Sequence, residues 1–320
     1  MTRTCANGLR VVECRFMDAK PWPLCRFLTL LLTALWLSLP MTRAGDELIL
    51  CGGDEVFALR IIGSGKISTN RVWSWRARDC PNLPENLRDK FGTTDECKPV
   101  GDGKRILITS SGGGVALVER ASGKALFSAF VGNAHSAEML PRNRVVVAGS
   151  THAEGNRLAV FDFGQPGEAI HVTELHSAHG VAWDEKRQIL WALGYEELNG
   201  YRLANWAGAE PRLHLADSYP LPDPGGHDLQ ITPKCDILVL TTGSHVYVFN
   251  PERRAFFPHM TWGNKGGVKC VSINPKTGLT ALIQGSDRQW WSDTVQWLDF
   301  ETALKLPGER LYKARWCVKE

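Results

Sequence analysis

The sequence predicts an all-β chain, a β-propeller of six four-stranded blades, on three observations. First, a short motif recurs. It reads Asn133-Ala134-His135-Ser136-Ala137-Glu138-Met139, then Ser177-Ala178-His179-Gly180-Val181-Ala182-Trp183, then Gly225-Gly226-His227-Asp228-Leu229-Gln230-Ile231, and a fourth copy puts Lys269 where the histidines stand. Second, these anchors are 44, 48 and 42 residues apart, a spacing of the kind that marks propeller blades. Third, nine residues after each anchor an apolar, β-branched run begins, at Arg144, Gln188, Asp236 and Gly278, and a third run follows behind a polar or glycine-rich loop. Short strands separated by turn signals, with no sustained 3.6-residue period, are the pattern of blades rather than helices.

The same register runs towards the N-terminus. Arg105-Ile-Leu-Ile-Thr and Gly114-Val-Ala-Leu-Val-Glu read as second and third strands, which puts Glu96 at the anchor of that blade. Glu47-Leu-Ile-Leu-Cys, Glu55-Val-Phe-Ala-Leu-Arg and Val72-Trp-Ser-Trp form an earlier blade that lacks an inner strand. The C-terminal run from Leu311 to Lys319 has strand character and is expected to complete that first blade, closing the ring and leaving no inner edge unpaired. Lys313 is its expected anchor. A seven-bladed ring is the alternative, because residues 79–95 are the least regular part. Trp73 and Trp75 share one face of their strand and are expected to pack between blades.

The first 44 residues read as an export signal outside the fold. A 13-residue, mostly apolar run from Phe27 to Leu39 follows Arg15, Lys20 and Arg26 and ends before Thr42-Arg43-Ala44. The run is short for a bilayer span, so cleavage after Ala44 is expected, with no stable membrane anchor afterwards and a periplasmic or extracellular address. An uncleaved signal anchor is the rival reading, and Met17 is an alternative start. The formal charge of +3 falls to −1 without this segment, and no basic stripe is left to suggest a nucleic-acid partner. Six of the nine cysteines remain in residues 45–320, an even number that permits disulfides in an exported chain. The expected pairs are Cys51 with Cys317 and Cys80 with Cys97.

The register also predicts a site. The inner strands of a propeller line its channel and start at one face, so Glu96, His135, His179, His227 and Lys269 are expected to meet at one mouth, with Lys98 two residues on along its strand. The loops between second and third strands would form the rim. They carry His152, Tyr195, His245 and the segment Ser286–Asp293, with Arg288 and the tandem Trp290 and Trp291 suited to stacking on a flat or ring-shaped ligand. Three converging histidines, His135, His179 and His227, suit a divalent transition metal such as manganese, zinc or iron, with Glu96 or Gln230 as an added oxygen ligand. Otherwise a neutral histidine serves as a base while Lys269 or Arg288 neutralises a substrate carboxylate. Weighed against this, a Gly-His at the start of a blade is also a structural device that ties the blade together through hydrogen bonds.

Ser110-Ser-Gly-Gly-Gly-Val-Ala-Leu-Val, His135-Ser-Ala-Glu-Met-Leu-Pro, His179-Gly-Val-Ala-Trp-Asp, Gly226-His-Asp-Leu and Trp290-Trp together resemble a family of exported bacterial propeller proteins of unknown function, DUF6528-like. The resemblance covers residues 45–320 and implies a propeller and export, but no reaction. A looser likeness is to oligogalacturonate lyases, propellers with a histidine-rich manganese site that act on uronic-acid oligosaccharides. Their ligands are not matched residue by residue, since Gln230 is the one glutamine near an anchor. Two functions are therefore expected to compete. One is an exported propeller binding or acting on a carbohydrate or small anionic ligand, as a metal-assisted lyase at its most specific. The other is a non-enzymatic protein- or glycan-binding scaffold with structural histidines.

Overall fold

The computed structural model describes residues 45–62, 66–164, 167–208, 210–232, 236–286, 288–298 and 303–318. The expected export signal, Cys235 and Asp287 lie outside them. The described strands form six antiparallel four-stranded sheets arranged as the blades of a propeller. Blade one is built from both ends of the chain. Its inner strand, Lys313–Cys317, pairs with Glu47–Cys51, which is followed outward by Glu55–Ile62 and Lys66–Arg76. The other inner strands are Thr94–Val100, Ala134–Leu140, Gly180–Asp184, Asp228–Ile231 and Val268–Ile273, for blades two to six.

The burial pattern explains the sequence pattern. Second strands lie between two neighbouring blades and have no solvent face. Arg144–Gly149 and Ile189–Leu193 are buried at every position and read as continuous apolar runs. Outer strands have one free face, and Arg212–Pro220 is largely exposed. Hydrophobic clusters fill the six gaps between blades. Trp191 and Phe249 meet at 5.6 Å between blades four and five, and Trp297 meets Trp316 at 6.1 Å across the closing gap. Trp73 and Trp75 reach from blade one to blade two, donating to the carbonyl oxygens of Arg120 (3.1 Å) and Gly123 (3.2 Å).

The irregular stretch is not a seventh blade. It holds a 3-10 turn at Ala77–Asp79, a short helix at Glu85–Arg88 and another 3-10 turn at Asp89–Phe91. These bury Leu83, Leu87 and Phe91 against Trp75, with the Phe91 ring edge-on at 5.4 Å. The expected disulfides are also absent. Cys51, Cys80, Cys97 and Cys270 are free and buried, and Cys317 is buried. The closing register forbids the first pair: Cys51 lies opposite Lys313, whereas Cys317 lies opposite Glu47, at the far end of the same two strands. Cys80 and Cys97 serve different neighbours, with the Cys80 thiol on Gly123 O (3.4 Å) and the Cys97 thiol on Ile49 O (3.5 Å).

Candidate functional site at the channel mouth

At the start of each inner strand one residue sits where the blade opens onto the channel. In blades two, three and six that residue is the extra member of a β-bulge: the pairing slips between Thr94 and Glu96, between Ala134 and Ser136, and between Val268 and Cys270. The slip puts Asp95, His135 and Lys269 in equivalent positions. In blades one, four and five the matching residue donates its amide to the last residue of the second strand: Tyr312 to Cys51 O (2.8 Å), His179 to Leu193 O (2.9 Å) and His227 to Thr241 O (2.9 Å). The mouth is thus a ring of one residue per blade: Tyr312, Asp95, His135, His179, His227 and Lys269.

The ring is in contact along most of its length. Asp95 Oδ1 lies 3.7 Å from His135 Nε2. The His135 and His179 rings are 4.2 Å apart, and those of His179 and His227 are 5.1 Å apart. Lys269 Nζ donates to His227 Nε2 at 3.1 Å, and Tyr312 faces His135 edge-on at 6.0 Å. Two of the histidines also tie down their own loops: His135 Nδ1 donates to Asn133 O (3.0 Å) and His179 Nδ1 to Ser177 O (2.8 Å). Carbonyl oxygens only accept, so these rings carry their proton on Nδ1 and leave Nε2 as the lone-pair nitrogen. In His227 the ammonium on Nε2 puts the proton on Nδ1, which is buried without a hydrogen-bond partner among the described residues.

Burial sets the protonation of the ring. It lowers His135 to about 4 and holds His179 and His227 well below the usual histidine value, with His135 adding to the effect on His179 and Lys269 to that on His227. It also lowers Lys269 and raises Asp95 to about 7, against the stabilising amide of Ser111. Near neutral pH the mouth therefore presents three neutral imidazoles beside an ammonium. Between about pH 4 and pH 7 the Asp95–His135 contact is between two largely neutral groups and is not an ion pair.

One layer down the channel is plugged. Arg315 grips Glu96 through Nε (2.9 Å) and Nη2 (3.0 Å), and also Asp228 through Nη2 (2.6 Å) and Nη1 (3.1 Å). Lys313 lies 3.3 Å from Asp228 and 3.7 Å from Glu96. Two cations balance two carboxylates, all buried. Burial would raise Glu96, but the charges of Arg315 and Lys313 outweigh it and hold the carboxyl at about 2. Removing one partner of such a pair costs about 3–5 kcal/mol, because an uncompensated charge stays behind.

This layering relocates several expected site residues. Glu96 and Lys313 are not at the mouth but in the plug, since the bulge adds a residue and moves the blade-two anchor to Asp95. Lys98 pairs with Glu138 (2.8 Å) beyond the plug, and Gln230 accepts from the Ile273 amide (3.1 Å). Both line a pocket of about 210 Å³ with Trp183 and Trp316 at the opposite mouth. Among the described residues, no group of three or more His, Cys, Asp or Glu side chains is arranged to hold a metal ion. Lys269 Nζ is hydrogen-bonded to the Nε2 of His227, while the Nδ1 of that ring has no hydrogen-bond partner among the described residues. On the rim, His152 accepts from the Glu154 amide (3.0 Å), His245 contacts Asp223 (2.6 Å), and Tyr195 packs on His176 at 5.5 Å. Arg288 is exposed. Trp290 stands edge-on to Tyr312 at 5.7 Å and so adjoins the ring, while Trp291 lies under the Arg310 guanidinium at 5.7 Å. Asp95, Tyr312, Asp228 and Arg315 were not singled out from the sequence. The dipeptides Asp95-Glu96 and His227-Asp228, each with an acidic residue directly after the ring position, were the available signal.

A family model described as a family of unknown function, DUF6528, matches residues 58–320. The chain belongs to this family. No curated protein matches it. Among solved structures, a chain from a crystal structure of the mitotic checkpoint complex superposes with a TM-score of 0.55 at 11% identity, covering 83% of this chain and 78% of that one. At that identity the likeness is one of fold alone. None of these matches supports the looser likeness to oligogalacturonate lyases. DUF6528 is thus a family of six-bladed propellers in this member, with a ring of titratable residues at one mouth.

Proposed function

We propose that the channel mouth binds a small anionic ligand, a carboxylated carbohydrate, with the carboxylate against Lys269. The observation that carries this is the contact between the Lys269 ammonium and His227 within an otherwise uncharged set of imidazoles. Lys269 has no carboxylate partner among the described residues, and an ammonium so placed, where burial disfavours charge, is stabilised by an incoming anion. The unpartnered Nδ1 of His227 and the exposed Trp290 supply a further donor and a stacking edge. His135 and His179, neutral and with the proton on Nδ1, also have the protonation state of a general base, which is the lyase version of the proposal. Export to the periplasm or exterior belongs to the same reading.

The test is calorimetric titration of the purified protein with galacturonate. Binding that weakens at least tenfold in Lys269→Met supports the reading, and galacturonate binding unchanged by that substitution would sink it. Absorbance of unsaturated product from oligogalacturonate tests the chemistry separately. Stoichiometric manganese, zinc or iron in the purified protein would replace the ammonium version with a metal one.

One observation favours the scaffold alternative. The Nδ1 bonds of His135 and His179 to carbonyl oxygens two residues earlier are structural ties. If those ties are the whole role of the histidines, His179→Ala lowers stability and galacturonate fails to bind the native protein.

A further inference from the structure

A cavity of about 400 Å³ opens on the same face as the ring, where the segment preceding the closing strand crosses the first loop of blade one. Its size is that of a small-molecule site. Gly52 and Gly53 form part of its wall, and a Cβ on Gly52 would lie 1.8 Å from Arg310 O, so the backbone there can come close only without a side chain. Its polar lining is balanced in charge. Glu55 is gripped by both Arg71 and Arg76, and Arg71 also reaches Glu309. The Arg76 Nε faces the Asp54 carboxylate at 3.7 Å, too long for a hydrogen bond, and Arg310 is in no ion pair among the described residues, so donor capacity remains at the wall. Planar donors set beside carboxylate acceptors, with no strong excess of either sign, suit vicinal hydroxyls better than a second anion.

The tandem tryptophans connect this cavity to the mouth. Ser292 and Leu311 exchange backbone hydrogen bonds of 3.0 and 2.8 Å, which fixes the tryptophan loop along the segment before the closing strand. Trp290 then faces Tyr312 of the ring, and Trp291 faces Arg310 of the cavity wall. Adjacent residues thus serve adjacent compartments.

We infer that this cavity is a second subsite, which takes a hydroxyl-rich sugar unit linked to the acidic unit at the mouth, so that the ligand is an oligosaccharide and not a monosaccharide. The inference rests on the carboxylated-carbohydrate reading of the mouth. Galacturonate and trigalacturonate are titrated into the purified protein and into Arg310→Gln and Trp291→Leu. The expected result is trisaccharide binding at least tenfold tighter than monosaccharide binding, with the ratio falling to within twofold in each variant. Monosaccharide binding with no trisaccharide advantage, or an advantage that survives both substitutions, overturns the second subsite alone. Failure of both saccharides to bind the native protein overturns the mouth reading and the subsite with it.

Discussion

Asp95 and His135 occupy the same position in neighbouring blades and carry opposite pH dependence. Burial holds His135 at about 4 in the folded chain, below its unfolded value near 6.5, so between those values only the unfolded state takes up the proton. Stability from His135 is present above pH 6.5 and is lost as pH falls towards 4, and His179 and His227 act in the same direction. Asp95 is raised to about 7, so from about pH 4 to 7 the folded state holds a proton that the unfolded state has released. Its contribution is full at low pH and is lost as pH rises through 7. Three imidazoles outweigh one carboxyl, and the fold is expected to weaken from pH 7 to 4.5. Asp95→Asn removes the opposing term. Urea denaturation at both pH values should show the variant losing more stability on acidification than the native protein, by on the order of 2 kcal/mol. Equal losses would show that Asp95 titrates normally.

The closing strand decides whether the blades form one ring. Lys313–Cys317 is buried throughout, pairs with Glu47–Cys51 and supplies both plug cations. A chain ending at Arg310 leaves blade one with three strands, bares the inner edge of Glu47–Cys51 and strands Glu96 and Asp228 as unpaired buried carboxylates. Its melting temperature should fall by at least about 10 °C in calorimetry, with self-association on gel filtration. A truncated monomer melting with the native protein would show that closure is dispensable. At this scale the sequence was mostly legible. Runs such as Ile189–Leu193 and a repeat near 43 residues specify strand, blade and ring because burial on both faces writes apolar runs directly into the chain. Bulges write nothing: one extra residue at Asp95 moved the anchor from Glu96, and no residue type marks the slip. The disulfide expectation failed for a related reason, since cysteine number is visible in sequence while strand register, which sets Cys51 apart from Cys317, is not.

Across the whole molecule, a buried layer of two cations and two carboxylates separates the two mouths of the channel. Lys98 and Gln230 were expected beside the histidines because they follow the anchors closely in sequence. A strand advances about 3.3 Å per residue, however, and two residues suffice to carry a side chain past the Arg315 layer. That layer is a set of ion pairs with no exposed member, and it stands between the histidine ring and the pocket that holds Lys98 and Gln230. Substitutions at separate, non-touching sites act independently. Lys98→Met combined with Glu138→Gln removes the pair at the far mouth without leaving a lone charge, and Lys269→Met alters the near one. The far-mouth double variant is expected to bind galacturonate within twofold of the native protein, while Lys269→Met loses at least tenfold and the triple variant loses no more than Lys269→Met alone. A tenfold loss in the double variant would mean that the ligand enters from the Trp183 and Trp316 side, which would move the binding site from the histidine ring to the opposite face of the disc.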